Sequence, residues 1–150
     1  MHKVIGMAEE PKHYTVQVNW DHDKGGDVSA EGKQSIKMVR PKGEESTPDL
    51  YTPEHLFVAS ATACFMNSFI YFTRRMRIEF KSFECEGTGT LEQIGKSFEV
   101  TKIEIKSKVI IDSEELRSKI ERAIYLGHKY CFIGNSMKAS IAYEDEIVVG

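Results

Sequence analysis

Three thiols carry the clearest chemistry in this 150-residue chain: Cys64, Cys85 and Cys131. A thiol attacks only as thiolate, and apolar surroundings keep it protonated unless a cation or hydrogen-bond donors offset the burial. Cys64 lies inside a run without charge from Leu56 to Thr73, so any cation must come from elsewhere in the fold. Glu54 stands ten positions earlier. On a straight helix about 15 Å of rise separates such a pair, so contact requires a chain that folds back or a second subunit. The bland readings are that a lone buried cysteine is a small hydrophobe and that Glu54 is a first-turn carboxylate suited to the helix dipole. Cys131 is remote in sequence, and a meeting of its sulfur with that of Cys64 would be tertiary, with no local motif to announce it. His128, three residues before Cys131, leaves a Cys–His pair or a metal site open. No C-x-x-C or H-x-x-x-H spacing supports zinc, and a histidine late in a helix already suits the dipole. Cys85, in FECEG, shares a strand face with Phe83 and is expected to face the core.

Composition narrows the classes. An odd, widely spaced cysteine set is not a disulfide scaffold. The formal charge of -3, with signs mixed along the chain, gives no basic stripe, so no nucleic acid is expected as partner. The opening MHKVIGMAEEPKHY has no apolar core before a small-residue cleavage site, which makes the cytoplasm the expected compartment. Ser60, Thr62, Asn67 and Ser68 interrupt the apolar character of the uncharged run, against a membrane span that needs ~20 strongly apolar residues. A helix apolar all round is expected to be buried. The length fits a single domain over residues 1–150.

The elements that must position these thiols follow from periodicity. HYTVQVNW places Tyr14, Val16, Val18 and Trp20 on one face of a half-buried strand, His13 to Trp20. Turns at Lys24-Gly25-Gly26 and Glu31-Gly32 flank a short strand from Asp27 to Ala30, and QSIKMVR supplies a third, making an antiparallel meander. Thr52 and Pro53 open a helix that runs to about Arg77, with RRMR cations at its C-terminus. FKSFECEGTGTLEQ and SFEVTKIEIKSKVII form a long hairpin around IGK. Phe98 and Val100 have the opposite parity to Ile103 and Ile105, which predicts a bulge or twist near Thr101-Lys102. Ser113 caps a second, amphipathic helix whose apolar face is Leu116, Ile120, Ala123, Ile124 and Gly127, with Gly134 as the break. ASIAYEDEIVVG is a last strand or hairpin. The order βββ, α, ββ, α, β points to α+β, two helices on antiparallel sheet.

TPEHLFVASATACF resembles the N-P-E-x-L-(x)-A-A-x-x-A-C-F signature of the OsmC/Ohr family, the osmotically induced and organic-hydroperoxide-resistance proteins. KYCFIGNSMKASI resembles that family's second signature, a cysteine at the end of the second long helix followed by a break and a Met-Lys pair. The resemblance implies an OsmC-like α+β fold with antiparallel sheets, two long helices and an intertwined homodimer, with active sites at the interface. It implies a thiol peroxidase in which Cys64 attacks an organic hydroperoxide and becomes sulfenic acid, Cys131 resolves it as a disulfide, and an external dithiol restores both. No cofactor and no metal are implied. Glu54 would orient an arginine that stabilises the thiolate. The family carries that arginine in the glycine-rich turn after the first strand, where this chain has Lys24; Arg40, at the end of the third strand, is the other candidate cation. The departure keeps a second implication open, a binding module on the same fold that holds a hydrophobic or thiol ligand with little turnover.

Overall fold

The computed structural model describes residues 9–22, 25–39 and 50–150. The chain falls into two compact units, Met1–Thr52 and Pro53–Gly150.

In the first unit, β1 (Gln17–Trp20), β2 (Gly25–Ser29) and β3 (Ile36–Val39) form an antiparallel sheet in that order, the expected meander. Val18 lies opposite Val28, and Val28 opposite Ile36, a row of β-branched cross-strand neighbours that fixes the register. β1 is shorter than the expected strand. The face that alternation marks as inward is exposed, Tyr14 at 88% and Trp20 at 66%. A sheet buries one face only against a second layer. Among its described residues this unit has no helix to provide one.

The second unit contains α1 (Pro53–Arg75), β4 (Ser82–Ile94), β5 (Ser97–Ile111), a single 3₁₀ turn at Glu114–Leu116, α2 (Arg117–Lys129), a short α3 (Phe132–Asn135) and β6 (Ser140–Val149). α1 ends in a Schellman motif: the Ile78 amide donates to the Thr73 carbonyl at 2.9 Å and the Arg77 amide to Arg74 at 3.2 Å. Arg77 takes the left-handed position, φ 55°, where glycine is usual. β4 and β5 pair antiparallel, and the register slips between Thr90 and Leu91, leaving Thr101 without a partner, at the bulge the parity change predicts. β6 instead lies parallel to β5, from Lys102 opposite Ser140 to Ile111 opposite Val149, so this sheet is mixed and not antiparallel throughout. The reason is topological: a helical crossover, here α2 and α3, carries the chain back so that the next strand starts from the same end.

Two cap expectations change. Ser113 has the extended backbone of an N-cap but makes no side-chain cap bond, and it precedes the 3₁₀ turn, with α2 beginning at Arg117. The break after α2 falls at Tyr130-Cys131, and Gly134 sits inside α3. The predicted apolar face of α2 is otherwise in place, with Ile120, Ala123, Ile124 and Gly127 buried.

α1 buries a stripe of Ala61, Phe65, Ser68, Phe69 and Thr73. Its other faces, including Phe57 and Met66, are exposed, so the helix is not buried all round. By length and composition it could cross a membrane. Of the hydroxyls along it, those of Ser60, Thr62 and Thr73 donate to carbonyls on their own helix, whereas the buried Ser68 hydroxyl has no hydrogen-bond partner among the described residues. Phe65 and Phe69 pack on Phe83 of β4, centroids 5.8 and 4.7 Å away. β4 admits the helix at Gly87, where a Cβ would meet Thr62 Oγ1 at 2.1 Å. The core continues into Ile103, Ile105, Val109 and Ile111 of β5 and the α2 face.

Candidate active site

Cys64 projects from the middle of α1 and is partly buried among core neighbours. Cys131 is fully buried between α2 and α3, at the N-cap of α3. Its sulfur accepts the Gly134 amide at 3.4 Å and lies 3.9 Å from the Ala61 carbonyl oxygen, one turn from Cys64. The glycine is required for this approach: a Cβ at position 134 would lie 3.0 Å from Ile141 Cδ1 and 3.2 Å from the Cys131 sulfur. The two thiols, remote in sequence, stand beside one another, and both are free. Burial pushes the Cys131 thiol up to about 11, against the lowering pull of the Gly134 amide, and the Cys64 sulfur beside it adds to the rise. Cys131 is therefore the thiol of the pair that the site holds neutral. Its neighbour is the one open to solvent.

Behind Cys131 lies a polar cluster that the sequence reading passed over. Burial first, and then the neighbouring Cys131 and Cys64 sulfurs, push the Tyr143 phenol up to about 12. Its ring stacks on His128, centroids 3.8 Å apart and planes 13° from parallel, and meets Phe65 at 5.2 Å. His128 is thus largely covered. Its Nε2 stands 3.1 Å from Asp145 Oδ2, close enough for an ion pair when protonated, but without the alignment of a directed hydrogen bond. Ser107 donates to the other Asp145 oxygen at 2.5 Å. Cys85, Ser107 and Asp145 are register partners across β4, β5 and β6. Cys85 faces the core as expected, 3.8 Å from the Thr62 carbonyl, with burial raising its pKa.

Parity could have found this row. Ser107 interrupts the inward series Ile103, Ile105, Val109, Ile111, and Asp145 interrupts Ile141, Tyr143, Ile147. Each is a polar residue at a core-facing position.

Glu54 is not gathered with the thiols of its own chain. α1 is continuous from Pro53, which removes the fold-back route and leaves Glu54 about 15 Å of helix from Cys64. Glu54 Oε2 is nonetheless buried, with no hydrogen-bond partner among the described residues. Lys24 and Arg40 lie outside the described residues. Among the described residues no three His, Cys, Asp or Glu side chains converge as a metal set.

A strand-rich unit with two neighbouring thiols, one at the centre of an apolar helix and one at a helix break, defines a class with known relatives. The profile of the OsmC-like protein family matches residues 44–144, and the chain belongs to that family. No curated protein matches it by sequence. Among solved structures it is similar to an OsmC-like protein of unknown function from Vibrio cholerae, at 21% identity over 90% of this chain and 99% of that one, TM-score 0.80. It is also similar to organic hydroperoxide resistance proteins of Elizabethkingia anophelis, at 19% identity over 94% and 100% with TM-score 0.70, and of Bacillus subtilis, at 20% over 89% and 98% with TM-score 0.64. At these identities the likeness is one of fold.

Proposed function

We propose that this protein is a thiol-dependent peroxidase that reduces organic hydroperoxides. The observation that carries the reading is the adjacency of the Cys64 and Cys131 sulfurs in an apolar core. The Cys64 thiolate attacks the distal peroxide oxygen, the O–O bond breaks, and the alkoxide leaves as alcohol after taking a proton. The product is Cys64 sulfenic acid. The Cys131 sulfur then attacks the Cys64 sulfur, its proton leaves with the hydroxyl as water, and a Cys64–Cys131 disulfide remains. An external dithiol reduces that disulfide. Two relatives of the same fold carry hydroperoxide resistance in their names, and the apolar surroundings favour an alkyl chain over hydrogen peroxide.

A homodimer with sites at the interface accounts for features one chain leaves open. Tyr14, Val16, Val18 and Trp20 form an exposed apolar row, Phe57 and Met66 of α1 are exposed, and Glu54 keeps a buried oxygen without a described partner. In this reading a second subunit covers the apolar faces, and Glu54 orients a cation, Lys24 or Arg40, toward Cys64. The protein acts in the cytoplasm as one functional domain. A lysine where the family carries arginine favours the alternative, a binding module with little turnover, since an ammonium lacks the bidentate fork.

One equivalent of cumene hydroperoxide should remove two of three titratable thiols and link the Cys64 and Cys131 peptides, and Cys64→Ser should abolish peroxide consumption. An unchanged thiol count sinks the peroxidase; saturable ligand binding without consumption would install the binding module in its place. Sedimentation equilibrium of the intact chain tests the dimer.

A further inference from the structure

Polar side chains tie α2 to β6 at both ends. At the start of the helix the Arg117 guanidinium donates to the Ile147 carbonyl at 3.1 Å. In its last turn His128 Nε2 stands 3.1 Å from Asp145 Oδ2, while Ser107 of β5 donates to the other Asp145 oxygen and holds the carboxylate in place. The imidazole is stacked on the Tyr143 ring, centroids 3.8 Å apart, and packed against Phe65 at 4.9 Å, which leaves it little room to turn. It is also the last side chain of α2 to reach inward: Lys129 and Tyr130 are exposed, and the helix ends there. Cys131 follows at once. Its amide donates to the His128 carbonyl at 3.5 Å, and its sulfur lies 3.9 Å from the Ala61 carbonyl oxygen of α1. Where the end of α2 stands therefore decides where the Cys131 sulfur stands.

A carboxylate and an imidazole at largely covered positions lose hydration, and an apolar pair of similar size often serves stability as well. What such a pair adds is a fixed position. We propose that His128 and Asp145 are positioning residues for closure of the Cys64–Cys131 disulfide: their contact holds the end of α2 on β6 and so keeps the Cys131 sulfur beside Cys64. In closure the Cys131 sulfur bonds to the sulfur of the Cys64 sulfenic acid, the S–O bond breaks, and the hydroxyl leaves with the Cys131 proton as water. His128 and Asp145 exchange no proton or electron in that step; they act on where Cys131 stands. A held geometry favours an intramolecular step by sparing it the entropy of bringing the two groups together, and that advantage shrinks when the end of α2 is freed.

This inference rests on the thiol pairing proposed above, so the main arm of its test uses no peroxide. Wild type, Asp145→Asn, His128→Phe and Arg117→Gln are equilibrated with graded ratios of oxidised to reduced glutathione, the glutathione disulfide taking the two electrons that closure releases. The Cys64–Cys131 disulfide is then quantified by acid quench, alkylation and peptide mass spectrometry. Asp145→Asn keeps an acceptor for Ser107, His128→Phe keeps a ring against Tyr143, and Arg117→Gln frees the other end of α2. A role limited to fold stability weakens the reduced and oxidised proteins alike and leaves this equilibrium where it was. Positioning of Cys131 moves it. The equilibrium constant for closure should fall about fivefold in Asp145→Asn and in His128→Phe, and Arg117→Gln should match wild type. The two variants remove the tie from opposite sides, so one that fails to fold leaves the other to decide. A wild-type equilibrium in either of them when folded, or an equal fall in Arg117→Gln, overturns the inference. Wild-type closure in glutathione but none with one equivalent of cumene hydroperoxide overturns only the peroxidase reading. No wild-type closure with either oxidant overturns both.

Discussion

The backbone amide of Gly134 points at the Cys131 sulfur from 3.4 Å, at a residue where a Cβ would lie 3.2 Å from that same sulfur. The donor and the missing side chain serve one purpose. The amide approaches the sulfur because nothing on Cα134 holds it away, and Ile141 closes the other side, its Cδ1 3.0 Å from where such a Cβ would stand. Gly134→Ala therefore has to displace either the sulfur or the isoleucine. Crowding of this kind costs about 1–3 kcal/mol. Urea unfolding should show that loss, together with slower Cys64–Cys131 disulfide formation after oxidation; a variant with wild-type stability and rate would show that the pocket yields without consequence.

Alkaline pH should destabilise the fold through the two groups it holds neutral. Cys131 is pushed from an ordinary thiol value of 9.0 up to about 11, and Tyr143 from 10.0 up to about 12, burial being the main cause in each. A raised folded pKa means the folded state binds its proton more tightly than the unfolded chain. The stability tied to Cys131 is then complete below pH 9.0, declines above it and is lost by about 11, and that tied to Tyr143 declines from 10.0 to about 12. The thiol's share is on the order of 2 kcal/mol. Thermal unfolding midpoints from pH 8 to 11 should fall more steeply for wild type than for Cys131→Ala. Parallel slopes would mean that the thiol ionises as freely in the folded state as in the unfolded one.

Local signals made much of this fold readable. The change of parity between Val100 and Ile103 marks the bulge at Thr101, and the α2 face follows from helical spacing alone. Direction of pairing is not a local property, which is why β6 comes out parallel to β5 where antiparallel was expected. The break at Cys131 was misplaced to Gly134 because glycine usually marks a helix end; here it permits a close contact instead. Neither thiol's spacing announces the other, since they meet only when α1 packs against α2 and α3, and it was likeness to a family that paired them. Tyr143 and Asp145 stand in plain alternation on β6, a pattern that marks a strand and carries no sign of the thiols beside it.

Ser107 and Asp145 test whether the polar row behind the thiols contributes to stability. Ser107 is 5% exposed and donates to Asp145 Oδ1 at 2.5 Å. Ser107→Ala deprives the carboxylate of that donor, at a cost of about 1–3 kcal/mol. Asp145→Asn keeps an acceptor but removes the charge facing His128. A double-mutant cycle by urea unfolding should give a coupling of ~1 kcal/mol between the two positions. Strict additivity would mean that solvent replaces the serine without loss.

Phe65 ties the core to the thiol pair. It follows Cys64 directly on α1, has no exposed surface, and meets Phe83 at 5.8 Å, Tyr143 at 5.2 Å and His128 at 4.9 Å. Truncation to alanine removes contacts to β4, β6 and α2 at once, and a buried phenylalanine lost in this way costs about 3–5 kcal/mol. The cavity would also remove the ring that packs against both Tyr143 and His128, so the Tyr143 ring beside the thiols would be less firmly held. Phe65→Ala should accordingly lose stability in urea and, under conditions where it remains folded, close the Cys64–Cys131 disulfide more slowly than wild type. Phe65→Leu, which keeps an apolar filling, should recover most of the stability. If leucine restores stability but not the rate, the aromatic face is what holds Tyr143; if it restores both, filling the volume is enough.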